Sequence, residues 1–315
     1  MNITILGCGA FGTALLTMFK ENKCNIKVWN KFSEEFKDLK NNNKDILYTT
    51  NLEESIHNSK LIVIAIPIPF LENTIKELKH YYNNQSILIA SKGIDTNNNL
   101  FAHQIIEKYI KTKNIGVISG GTFAIDMQTR NVMGITLGTK SELLKKQIKK
   151  SLKNKYLKLQ YTDDLIGTEI CGSIKNVIAI GFGILDGAKF PESTKFLFLT
   201  DSIYEINKLI INLKGNKKTI MSYAGIDDIM MTCTSTKSRN HTLGYLIGKN
   251  SSKEEIEKYK HNNTIEGLLT AKAIHNLCKE KNIELNICST IYNILYKNDN
   301  YNSIIKYLKE KESIF

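Results

Sequence analysis

Three glycines near the start of the chain are spaced for chemistry on a dinucleotide. Gly7, Gly9 and Gly12 read GxGxxG directly after an apolar run at 2–6 and directly before a segment of helical periodicity. In that context Gly7 permits a tight turn, Gly9 lets the backbone approach a pyrophosphate, and Gly12 lets a helix pack closely on its strand. The free amides at the helix start then face the negative charge. Ala10 and Phe11 lie inside the same turn. After the second apolar run, 26–29, a carboxylate would bond the ribose hydroxyls and select NAD. The positions that follow hold Asn30 and Lys31 instead. A cation with no carboxylate favours a 2′-phosphate, so the cofactor reads as NAD or NADP with the preference open.

The elements that must position this turn follow from the pattern of apolar runs. Segments 2–6, 26–29, 61–66, 86–90 and 115–119 read as buried strands, with crossover helices such as 11–22 and 70–81 between them. Weaker strands at 134–137 and 156–161 extend the sheet. This alternation predicts an α/β, doubly wound (Rossmann-type) sheet domain. From about residue 165 onward strand signals stop, and helical periodicities run through 165–186, 194–213, 265–281 and 286–297, predicting an all-helical C-terminal domain. The boundary falls near Asp163, giving domains of 1–163 and 164–315. Residues 222–250, rich in Gly, Ser, Thr and Asn, read as loops interrupting the helices where a site could sit.

Composition removes several classes of function. A chain of 315 residues suits two domains. The net charge of +12 comes almost wholly from dispersed lysines, and only Arg130 and Arg239 among the 43 basic residues are arginines. This reads as a solvated coat and predicts no nucleic-acid partner. Six cysteines without a CxxC pair, and six scattered histidines, predict reduced thiols and no metal. The longest uninterrupted apolar runs, 61–70 and 177–185, are shorter than the ~18 residues of a membrane span. With no leader pattern after Met1, the expectation is a cytoplasmic protein without an integral membrane segment.

Six blocks, in order, carry a resemblance along nearly the whole chain: GCGAFGTAL at 7–15, SKGI at 91–94, SGGTFA at 119–124, DLIGTEICGSIKNVIAIGFGILDG at 164–187, AGIDDIMMTCTSTKSRN at 224–240 and IEGLLTAKAI at 265–274. In these blocks the chain resembles the NAD(P)-dependent glycerol-3-phosphate dehydrogenases. The resemblance implies interconversion of dihydroxyacetone phosphate and sn-glycerol 3-phosphate, supply of the latter to phospholipid synthesis, and a possible homodimer. It makes Lys175 the general acid and base at the substrate C2 oxygen. The surrounding run agrees, because residues 177–185 leave no polar face, and burial would lower an ammonium's pKa toward a range useful for proton transfer. Lys92 is implied to touch both substrate and cofactor. Ser238, Arg239 and Asn240 resemble the family's phosphate clamp, with Arg239 also reaching the cofactor. Asp228, rather than the adjacent Asp227, would pair with the reacting hydroxyl or with Lys175. Gly120 and Thr122 would line the substrate, while Lys31, Ala124 and Glu266 would lie on the cofactor.

The chain departs from the family pattern at Gly121, where Pro is usual, at Asp126 for Glu, at Phe11 for Trp, at Ser193 for Asn and at Asp201 for Arg. The first two changes predict a looser substrate loop, and Asp201 predicts altered oligomer contacts or substrate geometry. Two alternatives stay open at this point: a β-hydroxyacid dehydrogenase of the same build, and a cofactor-binding sensor that has lost catalysis.

Overall fold

The computed structural model describes residues 1–36, 39–40 and 43–311. Two compact units make it up, residues 1–92 with 101–168, and residues 93–100 with 169–315. The division thus falls after Thr168, inside a helix, and the short segment 93–100 groups with the helical unit. The sequence reading had placed the boundary near Asp163 and the whole of 1–163 together, and residues 312–315 of its second domain lie outside the described residues.

The first unit contains β1 (Asn2–Leu6), α1 (Ala10–Glu21), β2 (Asn25–Trp29), β3 (Leu47–Thr49), α2 (Leu52–Ile56), β4 (Leu61–Ile64), α3 (Ile68–Leu78) and β5 (Ser86–Ile89). It continues with α4 (Ala102–Tyr109), β6 (Ile115–Ser119), α5 (Ala124–Gln128), β7 (Met133–Gly138), α6 (Glu142–Ser151) and β8 (Leu157–Thr162). Its eight strands order as β3-β2-β1-β4-β5-β6-β7-β8. Pairings are parallel except β6 with β7, which is antiparallel. Every residue of β4 and β5 is buried, as strands covered on both faces must be, whereas β8 at the edge alternates with exposed residues. The connections leave β1 and β4 adjacent with crossovers departing in opposite directions, so the turn after β1 opens at the switch point of the sheet.

The second unit is helical: α7 (Leu165–Gly187, entering from the first unit), α8 (Glu192–Asn212), α9 (Asp228–Thr234), α10 (Arg239–Gly248), α11 (Lys253–Asn262), α12 (Glu266–Lys281), α13 (Asn286–Tyr296) and α14 (Asn302–Glu310). Segment 222–250 is therefore not a run of loops. The small residues that suggested loops serve helix ends and a close helix crossing. Ser222 and Ser238 cap helical turns through their hydroxyls, accepting from the Gly225 and His241 amides. A Cβ added to Gly244 or Gly248 of α10 would lie 2.0 Å from the Ile180 or Ile184 carbonyl oxygen of α7. The crossing is reciprocal, since a Cβ on Gly183 or Gly187 would lie 2.1 or 2.2 Å from the His241 or Tyr245 carbonyl oxygen. Only glycine permits backbones this close. Helix α7, 23 residues with a mean hydropathy of 1.4 over its most apolar stretch, is long and apolar enough to cross a membrane by length and composition. That stretch is 94% buried within the protein, which accounts for its apolar character as a core helix.

Candidate active site

In the first unit the glycine turn has the shape its spacing implies. Gly7 takes φ +105, and a Cβ there would stand 2.6 Å from the Ala65 carbonyl oxygen. A Cβ on Gly12 would meet the Gly7 carbonyl oxygen at 2.4 Å, so α1 can start this close to β1 only with glycine. Gly9 differs from both, because a Cβ there meets nothing within 4 Å. It opens α1 as the N-cap, and the Thr13 hydroxyl steadies the turn by donating to the Cys8 carbonyl at 3.0 Å. The first-turn amides of α1, which include those of Ala10 and Phe11, have no acceptor within their own helix. A clear face over Gly9 together with these amides fits a pyrophosphate.

Other residues expected at the cofactor and substrate lie in the same unit. Half-buried Lys92 follows β5 with its ammonium 5.4 Å from the centre of the Phe11 ring, whose flat face it meets. Gly120 ends β6 and passes so close to β7 that a Cβ would sit 2.3 Å from the Gly134 carbonyl oxygen. Thr122, buried, closes this turn by donating its amide to the Gly120 carbonyl at 2.8 Å. The loop around Gly121 is thereby pinned, and Ala124 then starts α5, which packs on α1. Lys31 is exposed at the end of β2. Beside it lies a carboxylate that the sequence reading missed. The turn Ser33–Phe36, anchored by buried Phe36, brings Glu35 back to Asn30, whose side-chain amide donates to Glu35 Oε2 at 2.7 Å. The thiol of Cys8, in the glycine turn, approaches the same oxygen at 3.7 Å. No strand-end spacing rule points to Glu35, because it arrives through a turn five residues later.

The second unit holds a buried polar cluster around α7. Lys175 Nζ donates to Asp228 Oδ1, and the side chains are 7% and 0% exposed. Asp227, the neighbouring alternative, is exposed at the helix start. Asp228 is turned inward by the distorted helical turn 223–227, where Gly225 lies so near the Ile220 carbonyl oxygen that a Cβ would approach to 2.1 Å. Thr232, one helical turn along α9, accepts from Lys175 Nζ at 3.0 Å and donates to the Asp228 carbonyl at 2.6 Å. The ammonium is thus held by an anion and a hydroxyl, not merely desolvated as the sequence reading expected, and the carboxylate offsets the cost of its burial. Cys233 lies fully buried beside the pair; burial pushes its thiol far up, which keeps it protonated and inert.

A second chain of bonds runs from the residue after Lys175. Asn176 Nδ2 donates to Glu266 Oε2 at 2.9 Å, and Asn176 Oδ1 accepts from Asn240 Nδ2 at 3.0 Å. Asn240 Oδ1 in turn accepts the Gly267 amide at 2.9 Å, capping the start of α12. Asn240 keeps one amide hydrogen uncommitted by these bonds. Ser238 caps α10, and Arg239 is exposed on its first turn, where an anion is favoured. Sequence reasoning overlooked Thr232 and Asn176; their only signal was polar type within otherwise apolar helical faces. The structure also accounts for Asp201, whose carboxylate is 2.7 Å from Lys311 Nζ within this unit.

Among the described residues no group of three or more His, Cys, Asp or Glu side chains could hold a metal ion. The chemistry available is a proton on a buried, ion-paired lysine and, in the sheet unit, a cradle for a dinucleotide. Those two capacities, on a doubly wound sheet domain followed by a helical one, define a nicotinamide-dependent dehydrogenase.

Comparison with known proteins gives the family. Residues 2–145 match the NAD-dependent glycerol-3-phosphate dehydrogenase N-terminus, and residues 164–306 match its C-terminus. The chain belongs to the NAD(P)-dependent glycerol-3-phosphate dehydrogenase family. It is 29% identical over 326 aligned positions to glycerol-3-phosphate dehydrogenase [NAD(P)+] of Staphylococcus aureus, covering 98% of both chains. Its fold is similar to that of glycerol-3-phosphate dehydrogenase from Coxiella burnetii, with a TM-score of 0.91 at 24% identity over 98% of this chain and 99% of the other. The Saccharomyces cerevisiae enzyme is similar at a TM-score of 0.85, 20% identity and the same coverages.

Proposed function

We propose that Lys175 is the proton donor and acceptor of this NAD(P)-dependent oxidoreductase, which interconverts dihydroxyacetone phosphate and sn-glycerol 3-phosphate. When bound, the reduced nicotinamide supplies the hydride. Lys175 holds a proton for the C2 oxygen as negative charge develops there. Asp228 and Thr232 fix the ammonium in one orientation, which removes the entropy of positioning it at each turnover. Arg239, with its planar fork, and the remaining amide hydrogen of Asn240 bind the phosphate, assisted by Ser238 and Lys92. Gly120 and Thr122 line the substrate. Gly7, Gly9, Ala10, Phe11, Gly12, Lys31, Ala124 and Glu266 serve the cofactor, together with Lys92 and Arg239. Residues 1–163 act as the cofactor domain and 164–315 as the substrate domain.

The observation that carries this reading is the inward ion pair of Lys175 and Asp228 on the face of α7. The reaction supplies a phosphorylated glycerol for phospholipid synthesis. A cytoplasmic location fits six free thiols. Homodimer assembly is tested by light scattering. The test of the reaction is oxidation of NADH and NADPH with dihydroxyacetone phosphate against dihydroxyacetone and ketopantoate. Turnover with the first alone supports the reading, turnover with ketopantoate would move it to the β-hydroxyacid dehydrogenases, and cofactor binding without turnover would make the chain a sensor.

A further inference from the structure

The proposed cofactor site contains one charged group that the family reading does not use. We infer that Glu35 selects against the 2′-phosphate of NADP and makes this chain an NADH-preferring enzyme. The inference rests on the glycine turn being the dinucleotide cradle. In a doubly wound sheet the group at the end of β2 that faces the glycine turn meets the adenosine ribose, and a carboxylate there accepts from the ribose hydroxyls while repelling a phosphate. The residue at that strand end is Asn30, which is neutral and 8% exposed. Its side chain does not stand in for the missing acid; it donates to one instead.

Two contacts place the Glu35 carboxylate at this point. Asn30 Nδ2 donates to Oε2 at 2.7 Å, and the Cys8 thiol, between Gly7 and Gly9, lies 3.7 Å from the same oxygen. Cys8 also approaches the Glu35 backbone carbonyl at 3.6 Å, so the turn as a whole abuts the glycine turn. The turn is held from below by Phe36, 1% exposed and in contact with Tyr48 at 5.6 Å between ring centres. Burial first and the Glu35 carboxylate second push the Cys8 thiol up to about 11. A phosphate brought to this strand end would meet that same charge. Lys31 and Glu35 are both exposed, but the Glu35 carboxylate is held in place by its hydrogen bond from Asn30. A fixed anion outweighs a mobile, hydrated cation in the choice between a hydroxyl and a dianion.

The test compares binding and turnover of the two cofactors in the wild type, Glu35→Gln and Lys31→Ala. Glu35→Gln keeps an acceptor for Asn30 and removes only the charge. Binding is read from energy transfer between Trp29, the single tryptophan, which lies at the end of β2, and the reduced nicotinamide. The wild type is expected to bind NADH tighter than NADPH by roughly tenfold or more, and Glu35→Gln to recover most of that difference by tightening NADPH. Lys31→Ala removes a cation placed on the cofactor and should widen the preference for NADH by weakening NADPH. A wild type that prefers NADPH, or a preference unchanged in Glu35→Gln, overturns the inference. Failure to bind either cofactor would overturn the cradle reading itself, and binding with the expected ratio but no turnover of dihydroxyacetone phosphate would leave Glu35 as selector while removing the proposed substrate.

Discussion

The carboxylate of Asp228, wholly buried, takes a hydrogen bond from the ammonium of Lys175, which is itself 7% exposed. Each group makes the other tolerable inside the helical unit, and the Thr232 hydroxyl also takes a hydrogen bond from the ammonium at 3.0 Å. Removing one partner leaves an isolated buried charge, while removing both leaves a cavity that apolar neighbours can partly fill. Function and stability are therefore coupled at this pair, and substitutions there must be read on both axes.

Lys175→Ala should lower kcat by about a thousandfold, the size typical of a lost general acid, while the cofactor dissociation constant changes less than about threefold. The same variant should lose roughly 3 kcal/mol of stability through the unpaired Asp228. Lys175→Met with Asp228→Asn, measured by urea unfolding, should restore most of that stability with no activity. Near-normal turnover in either variant removes Lys175 from the mechanism.

Arg239→Lys keeps the charge and discards the planar fork. The expected result is a KM for dihydroxyacetone phosphate raised about tenfold, with a smaller change in kcat. Steady-state kinetics at varied substrate check it, and an unchanged KM would place the phosphate elsewhere.

Gly244→Ala inserts a methyl 2.0 Å from the Ile180 carbonyl oxygen, a backbone atom that cannot rotate away. Helices α7 and α10 must separate, at a cost of about 3 kcal/mol or more. Gly9→Ala, by contrast, meets open space and should keep the fold while weakening cofactor binding. Thermal melts of the two variants, with cofactor titrations, separate these effects.

Glu205 gives the helical unit a pH dependence. Its carboxylate accepts the amides of Ile287 and Cys288 at the start of α13, at 2.8 and 3.3 Å. Desolvation nonetheless outweighs those bonds and pushes its pKa from the ordinary 4.5 up to about 7. Between these values the folded protein binds the proton and the unfolded chain does not, so stability falls as pH rises through that window. The loss is roughly 3 kcal/mol by pH 8. Glu205→Gln should flatten the profile of stability against pH between about 5 and 8; a profile that stays steep would exclude Glu205 as its source.

Asp201, one of the positions where the resemblance implies a departure from the family pattern, is ion-paired with Lys311 at 2.7 Å. Both groups are largely shielded, at 9% and 20% exposure. Asp201→Ala should lower the melting temperature by a few degrees through loss of the ion pair with Lys311, about 1 kcal/mol, with kinetic constants unchanged. A change in KM would instead implicate Asp201 in substrate geometry.

By itself the sequence determined what depends on neighbours in the chain. The glycine turn was legible because its three requirements fall within six residues of one strand and one helix, and the strands β1, β2, β4, β5 and β6 because burial on both faces writes continuous apolar runs. Strand β3 was not, since three residues at a sheet edge carry too little pattern. Segment 222–250 misled because a glycine that lets two backbones touch is locally the same as a glycine that breaks a helix; only the partner helix 60 residues earlier tells Gly244 from a loop glycine. The family resemblance already favoured Asp228 over Asp227; the tertiary structure adds the physical reason, a distorted turn at Gly225 beside which Asp228 is buried and Asp227 exposed. It also brought Glu35 to Asn30 through a turn anchored on buried Phe36. A charge's address is set by packing, because the energy that holds it depends on distance and burial and not on its position in the chain.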